Sequence, residues 1–419
     1  MSTSEGFLSG VRVIDCSMLG PGAVGGHFVD FGADVVKLEA PGGDYIRQMT
    51  WPIVHETDDD GGRRSNSLLH LHLNRGKRSL ELDLKRPESI EVFEDLIRAS
   101  DVLIEGMRPG FLAKRGFPFE RLVELNPRIV VCSISGYGAT GPYRNLPSHG
   151  IAYDAWSGVV QPTVDDQGFA RIPDQVNVGI TAGPAFAAMA VLAALVRART
   201  TGEPASIEIA QSDAAAYFDW YRIETERAYL RPADEVTGNA SDGGERRAPG
   251  LGGMHEGVRY QFYESADGHV LFMASEQAFW KNFCEGVGRM DLFERWPGAT
   301  YADHARGNVE LQAELREIFR GRTTVEWIGF ADEHNTTIAP VNTPAQLLDD
   351  PQFRERVTWV PAERLGADQM LLPLHLDGES VPVPARAPDS GQHTDEILAD
   401  VLGYDTDRIE ALRRAGAFG

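Results

Sequence analysis

The chain has 419 residues, enough for a sizeable core and more than one domain usually needs, so two domains are expected. A net charge of −22 excludes a general nucleic-acid binder, whose phosphate affinity comes from clustered Lys and Arg, but leaves room for a phosphate-bearing small ligand on a local basic patch. The three cysteines, Cys16, Cys132 and Cys284, are widely spaced with no CxxC pair, so neither a disulfide framework nor a metal site is indicated and each reads as a small core residue.

Met1 to Gly6 has neither a basic region nor an apolar signal core, and the apolar run from Ala185 to Val196 is shorter than the ~20 residues a bilayer requires. The expectation is a soluble, cytoplasmic protein with no membrane partner. Gly10 to Asp15 alternates and reads as a short strand, the glycine-rich turn Gly20-Pro21-Gly22 leads into a helix to Phe31, and Asp34 to Glu39 is a second strand. Such strand–helix–strand units build parallel sheets. The glycines at 20, 22 and 25 match GxGxxG, with Glu39 placed as an acidic ribose partner would be. Pro21 inside the turn weakens that dinucleotide reading. The competing reading is a helix start that lets another group approach closely.

Asn74-Arg75-Gly76-Lys77-Arg78 is a basic turn before an alternating strand, and it offers phosphate contacts or simply a solvated turn. A helix from Pro87 to Arg98, a strand over 101–105, a helix from Phe119 to Asn126 and a strand over 128–134 continue the alternation. Ligands of such folds bind beyond the carboxyl ends of strands, which points to the loops at Gly20, Gly106 and Gly136. Ser148 to Asp213 gathers His149, Asp154, Asp165, Asp166 and Asp174 around a small-residue helix start at Gly179 and a strand over 206–210. Asp154 reads as a structural hydrogen-bonding residue and Asp213 as a helix cap. One helix is expected from Asp213 to Leu230 and a loop over 231–253, with Asp242-Gly243-Gly244 and Leu251-Gly252-Gly253. A hairpin with an Asp267-Gly268 turn follows, then helices near 278–287, 309–319 and 324–333. Trp156, Phe279 and Trp280 hint at an apolar pocket, though such residues are more often plain core.

The chain resembles the family III CoA-transferases, which also include the α-methylacyl-CoA racemases. The likeness rests on Leu8 to Asp15, Phe31 to Glu39, Asn74 to Ser79, Arg108-Pro109-Gly110, Ser133 to Gly138 with Gly141-Pro142, Leu192-Ala193-Ala194-Leu195 and Gly391 to Asp395, in that order. It implies an α/β fold with a Rossmann-like large domain and a smaller α+β domain, divided as 1–224, 225–345 and a return over 346–419. It also implies an interlocked homodimer. The ligand implied is a coenzyme A thioester, with no metal and no covalently bound cofactor, and the partners are an acyl-CoA and a carboxylic acid. CoA contacts fall on Gly20, Pro21, Gly22, Asn74, Arg75, Lys77, Arg108, Lys114, Arg115, Gly136 and Tyr137, which supply backbone donors and cations for phosphates. The family often has Asn where this chain has Gly106.

In the transferases an aspartate at the start of the small-residue helix attacks the thioester. That position falls on Gly179 or Ile180, and the nearest aspartate is Asp174. In the racemases a His and an Asp flank the α-carbon and a Glu orients the His. His149 and Glu276 match the His and the Glu, whereas the Asp again falls on Gly179, and Gly150 replaces an Asp that follows the His. Three readings result: a CoA-transferase using Asp174 or a displaced residue, a racemase-like proton-transfer enzyme using His149, and a silent CoA-binding subunit that pairs with an active homologue.

Overall fold

Six short apolar runs form one parallel sheet. These strands are β1 (Arg12–Cys16), β2 (Asp34–Glu39), β3 (Arg78–Glu81), β4 (Val102–Glu105), β5 (Val130–Ser135) and β6 (Ala205–Ala210). Their spatial order is β6-β5-β4-β1-β2-β3, and every neighbouring pair is parallel. The structure is a computed structural model and describes residues 6–50, 52–57, 61–238, 244, 246, 254–299, 304–376 and 378–418. The expected turns at Asp242-Gly243 and Leu251-Gly252-Gly253 lie outside the described residues. The chain divides into two units, one of Met1–Phe218 with Glu355–Gly419 and one of Asp219–Arg354.

The helices of the first unit that matter here are α1 (Ala23–Asp30), α2 (Pro87–Arg98), α3 (Phe119–Leu125), α4 (Ile151–Ser157), α5 (Val178–Thr201) and α6 (Gln211–Phe218). The strands carry apolar residues on both faces, as a sheet covered on both sides requires. Val13, Val35, Ile104, Val130 and Cys132 share a core with Phe28 of α1 and Ala187, Val191 and Leu195 of α5. Ile14, Val36, Leu80, Leu103 and Val131 share another with Phe93, Leu96 and Ile97 of α2, Leu122 of α3 and the C-terminal Ile397, Leu398 and Ile409. Each fully buried aliphatic side chain contributes about 1.5–3 kcal/mol. The three cysteines are free and buried, and burial pushes the Cys132 thiol up to about 12.

Some elements differ from expectation. The apolar run at 185–196 is the middle of a 24-residue helix, because Ala, Gly and Thr extend the helix at both ends. By length and composition α5 suffices to cross a membrane. In this fold its Ala187, Val191 and Leu195 are buried in the sheet core. The helix expected over 213–230 is two, because Asp219, at φ −101° and ψ 27°, leaves the helical region between Gln211–Phe218 and Trp220–Ala228. Asp213 accordingly lies within the first turn of α6 rather than capping it, and accepts from Ser212 Oγ at 3.2 Å.

The second unit holds the antiparallel strands β7 (Tyr260–Glu264), β8 (His269–Met273) and β9 (Ile338–Pro340). Its core is aromatic: Phe272, Trp280, Phe283, Phe319 and Trp327 pack together, and Trp280 is fully buried there. Trp280 is thus core, and Phe279 packs against that core.

Under the glycine-rich turn of the first unit lies a buried ion pair. Lys77 Nζ donates to Asp15 Oδ2 at 2.7 Å, to the Gly22 carbonyl at 2.7 Å and to Asn74 Oδ1 at 3.1 Å. Both side chains of the pair are 0% exposed. Burial pushes the Lys77 ammonium below its ordinary value, and Asp15 opposes that shift. Removing one partner strands a buried charge, so Lys77→Met is expected to cost about 3–5 kcal/mol in urea unfolding. A loss under about 1 kcal/mol shows that the pair does not support the turn.

Candidate active site

The sheet reverses its strand order between β1 and β4, and a crevice opens at the carboxyl ends of strands there. A cavity of about 780 Å³ occupies this place. It is lined from the ends of four adjacent strands: Met18 to Pro21 after β1, Gly106 to Pro109 after β4, Ser135 to Gly138 in and after β5, and Gln211 after β6. Arg144 to Gly150, Tyr153, Ile180, Tyr45, Phe111 and Lys114 also line it.

Close approach dictates several of these residues. A Cβ on Gly106 would lie 2.4 Å from Ser17 Cβ and 2.8 Å from Pro21 Cβ, so no side chain fits at this position without a shift of its neighbours. A Cβ on Gly25 would lie 2.5 Å from Asp15 Oδ2, which explains this glycine by packing rather than by a nucleotide phosphate. Glu39 is likewise committed inside the fold. It accepts from Arg47 Nη2 at 2.8 Å, Ser79 Oγ at 2.6 Å and the Asp44 N–H at 2.6 Å, so the ribose role weighed for it is withdrawn.

Of the residues singled out from sequence, Gly20, Pro21, Arg108, Lys114, Gly136, Tyr137 and His149 line the cavity. The His149 ring is exposed, and the next residue, Gly150, takes φ 38° and ψ −109° before α4, a conformation that an aspartate rarely adopts. Arg115 stacks on the Phe111 ring at 3.6 Å and donates from Nη1 to the Phe111 carbonyl. Asn74, Arg75 and Lys77 do not line the cavity. All are buried, with Arg75 donating to Asp30 Oδ2 at 3.2 Å and to the Met370 carbonyl at 2.7 Å, and Gly22 meeting Lys77 through its carbonyl. Glu276 is the N-cap residue of the helix Gln277–Gly286 in the second unit, without a side-chain capping bond.

Tyr137 stands at the centre of an edge-to-face cluster, 5.7 Å from Tyr143 and from Tyr153 and 6.2 Å from Trp156. Burial first, then the neighbouring phenols, raise its hydroxyl above the ordinary value, which keeps it a neutral donor at physiological pH. The charged or titratable nitrogen groups of the lining are Arg108, Lys114, Arg144 and His149. Among the described lining residues there is no carboxylate.

A family model described as CoA-transferase family III matches residues 8–394. The chain belongs to CoA-transferase family III. It is an enzyme, and CoA transfer is its family-level activity. It is 31% identical to the succinyl-CoA:mesaconate CoA-transferase of Haloarcula hispanica, over 97% of this chain and 99% of that protein. It is 28% identical to the human α-methylacyl-CoA racemase, over 97% and 96% respectively. The fold matches a CAIB/BAIF family protein from Brucella suis with a TM-score of 0.74 at 23% identity, covering 95% of this chain and all of that one.

The start of α5, where resemblance to the family III transferases places an aspartate, is occupied differently. Gly179 is buried, and a Cβ there would lie 2.9 Å from Tyr153 Cβ, 3.0 Å from the Gln211 carbonyl oxygen and 3.2 Å from Asp154 Oδ1. The carboxylate at this point comes instead from α4. Asp154, 0% exposed, accepts from the Gly179 N–H at 2.7 Å and the Val178 N–H at 3.0 Å. It satisfies two orphan donors and complements the positive end of the helix dipole. Asp174 is exposed on the segment before α5 and does not line the cavity. Asp154→Ala leaves both N–H groups buried without acceptors, and the expected loss is about 1–3 kcal/mol, read as a lower midpoint in thermal or urea unfolding. An unchanged midpoint shows that water replaces the carboxylate at no cost.

Proposed function

We propose that this enzyme moves CoA between an acyl-CoA thioester and a carboxylic acid, with the thioester seated in the cavity at the ends of β1, β4, β5 and β6. The observation that carries the proposal is the charge of that cavity. In a chain of net charge −22, its lining gathers Arg108, Lys114 and Arg144 and, among the described residues, no acid. Phosphates and carboxylates are both drawn to such a site. Backbone N–H groups at the Gly20 and Gly136 turns add uncharged donors, while buried Asn74, Arg75 and Lys77 support the turn from below. In this reading the unit Met1–Phe218 with Glu355–Gly419 is the large CoA-binding domain, Asp219–Arg354 is the smaller one, and the chain works as an interlocked cytoplasmic homodimer.

In this reading covalent transfer falls to Asp174, which is exposed while Asp154 is sealed by two N–H donors; Asp174 lies outside the cavity lining, so the acyl end of the ligand extends from the cavity to meet it. The Asp174 carboxylate attacks the thioester carbon, the C–S bond breaks and CoA leaves as thiolate. The acceptor carboxylate attacks the aspartyl carbonyl of the anhydride and releases the first acid. The thiolate then attacks the acceptor carbonyl and frees Asp174, with no net proton change. The test is purified chain with succinyl-CoA and a panel of acids, followed by hydroxylamine trapping. Turnover with a trapped acyl-enzyme, both lost in Asp174→Asn, is the expected result. Turnover that survives Asp174→Asn removes this residue from the chemistry, and absence of turnover favours the silent-subunit reading.

His149 favours a second reading, since its ring is exposed and lines the cavity. As a general base it exchanges the α-proton of an acyl-CoA. Deuterium wash-in at the α-carbon in heavy water, abolished by His149→Ala, is expected under this reading. An acyl-CoA that stays unlabelled rules it out.

A further inference from the structure

Gln211 is the first residue of α6, directly after β6, and it lines the cavity although only 3% of it is exposed. Its Oε1 is buried and finds no hydrogen-bond partner among the described residues. A buried amide oxygen left without a donor is costly, so a fold retains one where something else completes it.

The surroundings are shaped for this side chain. A Cβ on Gly183 would lie 3.0 Å from Gln211 Cγ, one on Gly20 would lie 3.2 Å from Oε1, and one on Gly179 would lie 3.0 Å from the Gln211 carbonyl oxygen. Two glycines from separate segments, Gly20 and Gly183, thus leave room for this side chain, and Gly179 leaves room for its backbone carbonyl. The flanking turn is itself strained: Leu19, a non-glycine residue, sits at φ 57° and ψ −141° and lines the same cavity. Backbone strain of this kind gathers where ligands are held.

Resting on the transferase reading above, we propose that Gln211 is a ligand-binding residue whose amide oxygen accepts a hydrogen bond from an N–H or O–H donor of the bound acyl-CoA. Such a ligand carries donors in its CoA part, which includes the adenine amino group, the ribose hydroxyl and the amide N–H groups of the pantetheine arm, and in the O–H of a hydroxylated acyl group. A site built around an acceptor discriminates strongly against ligands that leave it unpaired.

The experiment is calorimetric binding of CoA, acetyl-CoA and 3-hydroxybutyryl-CoA to the full chain and to Gln211→Met, which keeps the length and removes the polar group. Gln211→Asn, which withdraws the acceptor by one methylene, serves if the Met variant does not fold. The expected loss is about tenfold in Kd, one ordinary hydrogen bond, with an unliganded Tm that is unchanged or higher, since an unpaired buried acceptor has been removed. A loss shared by all three ligands assigns the donor to the CoA part, and a loss confined to the hydroxyacyl ligand assigns it to the acyl group. Either result supports the proposal. Equal Kd values for variant and wild type overturn it, and do so decisively if Tm falls, for the amide is then a packing residue. Wild-type protein that binds none of the three ligands overturns the transferase reading itself.

Discussion

The Lys77–Asp15 pair is the contact on which the site depends. Asp15 is the next-to-last residue of β1, Lys77 precedes β3, and the ammonium reaches the Gly22 carbonyl of the turn between β1 and α1. One buried cation therefore ties a strand end, the glycine-rich turn and the basic segment together. Ser17 adds its hydroxyl to the Asp15 carboxylate. A buried pair stabilises only when each charge is fully hydrogen-bonded, and here the Asn74 side chain and two serine donors complete the set. The basic turn at 74–77 thus does its work inside the protein, and the positive charge that faces the cavity comes from Arg108, Lys114 and Arg144.

A second division of labour concerns α5. A helix N-terminus is a ready anion site, because its N–H groups point outward and its dipole favours negative charge. Here Asp154 occupies that end from the neighbouring helix. The positive end of α5 is consequently satisfied within the fold, and side-chain cations carry the field of the cavity. The same exchange removes any side chain at 179, since Tyr153 and Gln211 fill the space. Asp154 and the Gln211 backbone both pack against Gly179, which leaves that position no room for a side chain.

Much of the architecture was legible along the chain because it obeys local rules. The alternation of 10–15 and 34–39, the helix from Pro87 to Arg98 and the Asp-Gly hairpin follow from side-chain periodicity and turn chemistry, and each is found in place. The rule that ligands gather at strand ends pointed to Gly20, Gly106 and Gly136, all of which line the cavity. Applied to the strand over 205–210, the same rule marks Gln211, the next residue. What hid it was the company of Asp213 and the lack of any charge. Asp219 broke an apparently continuous helix, and no local signal separates that from an ordinary polar position within a helix.

From sequence alone came the family, the parallel sheet and the segments that surround the site, because periodicity, glycine placement and motif order are properties of the chain itself. Tertiary structure decided which polar groups face the cavity and which serve the interior. Lys77 and Arg108 are both cations within two residues of a glycine, and nothing local separates them. One is sealed against Asp15 and the other is exposed on the cavity, and only the packing of distant strands makes that difference. Likewise Asp154 and Asp174 are two aspartates near one helix start. Burial against Gly179 commits the first to the backbone, and the second is exposed on the segment before the helix.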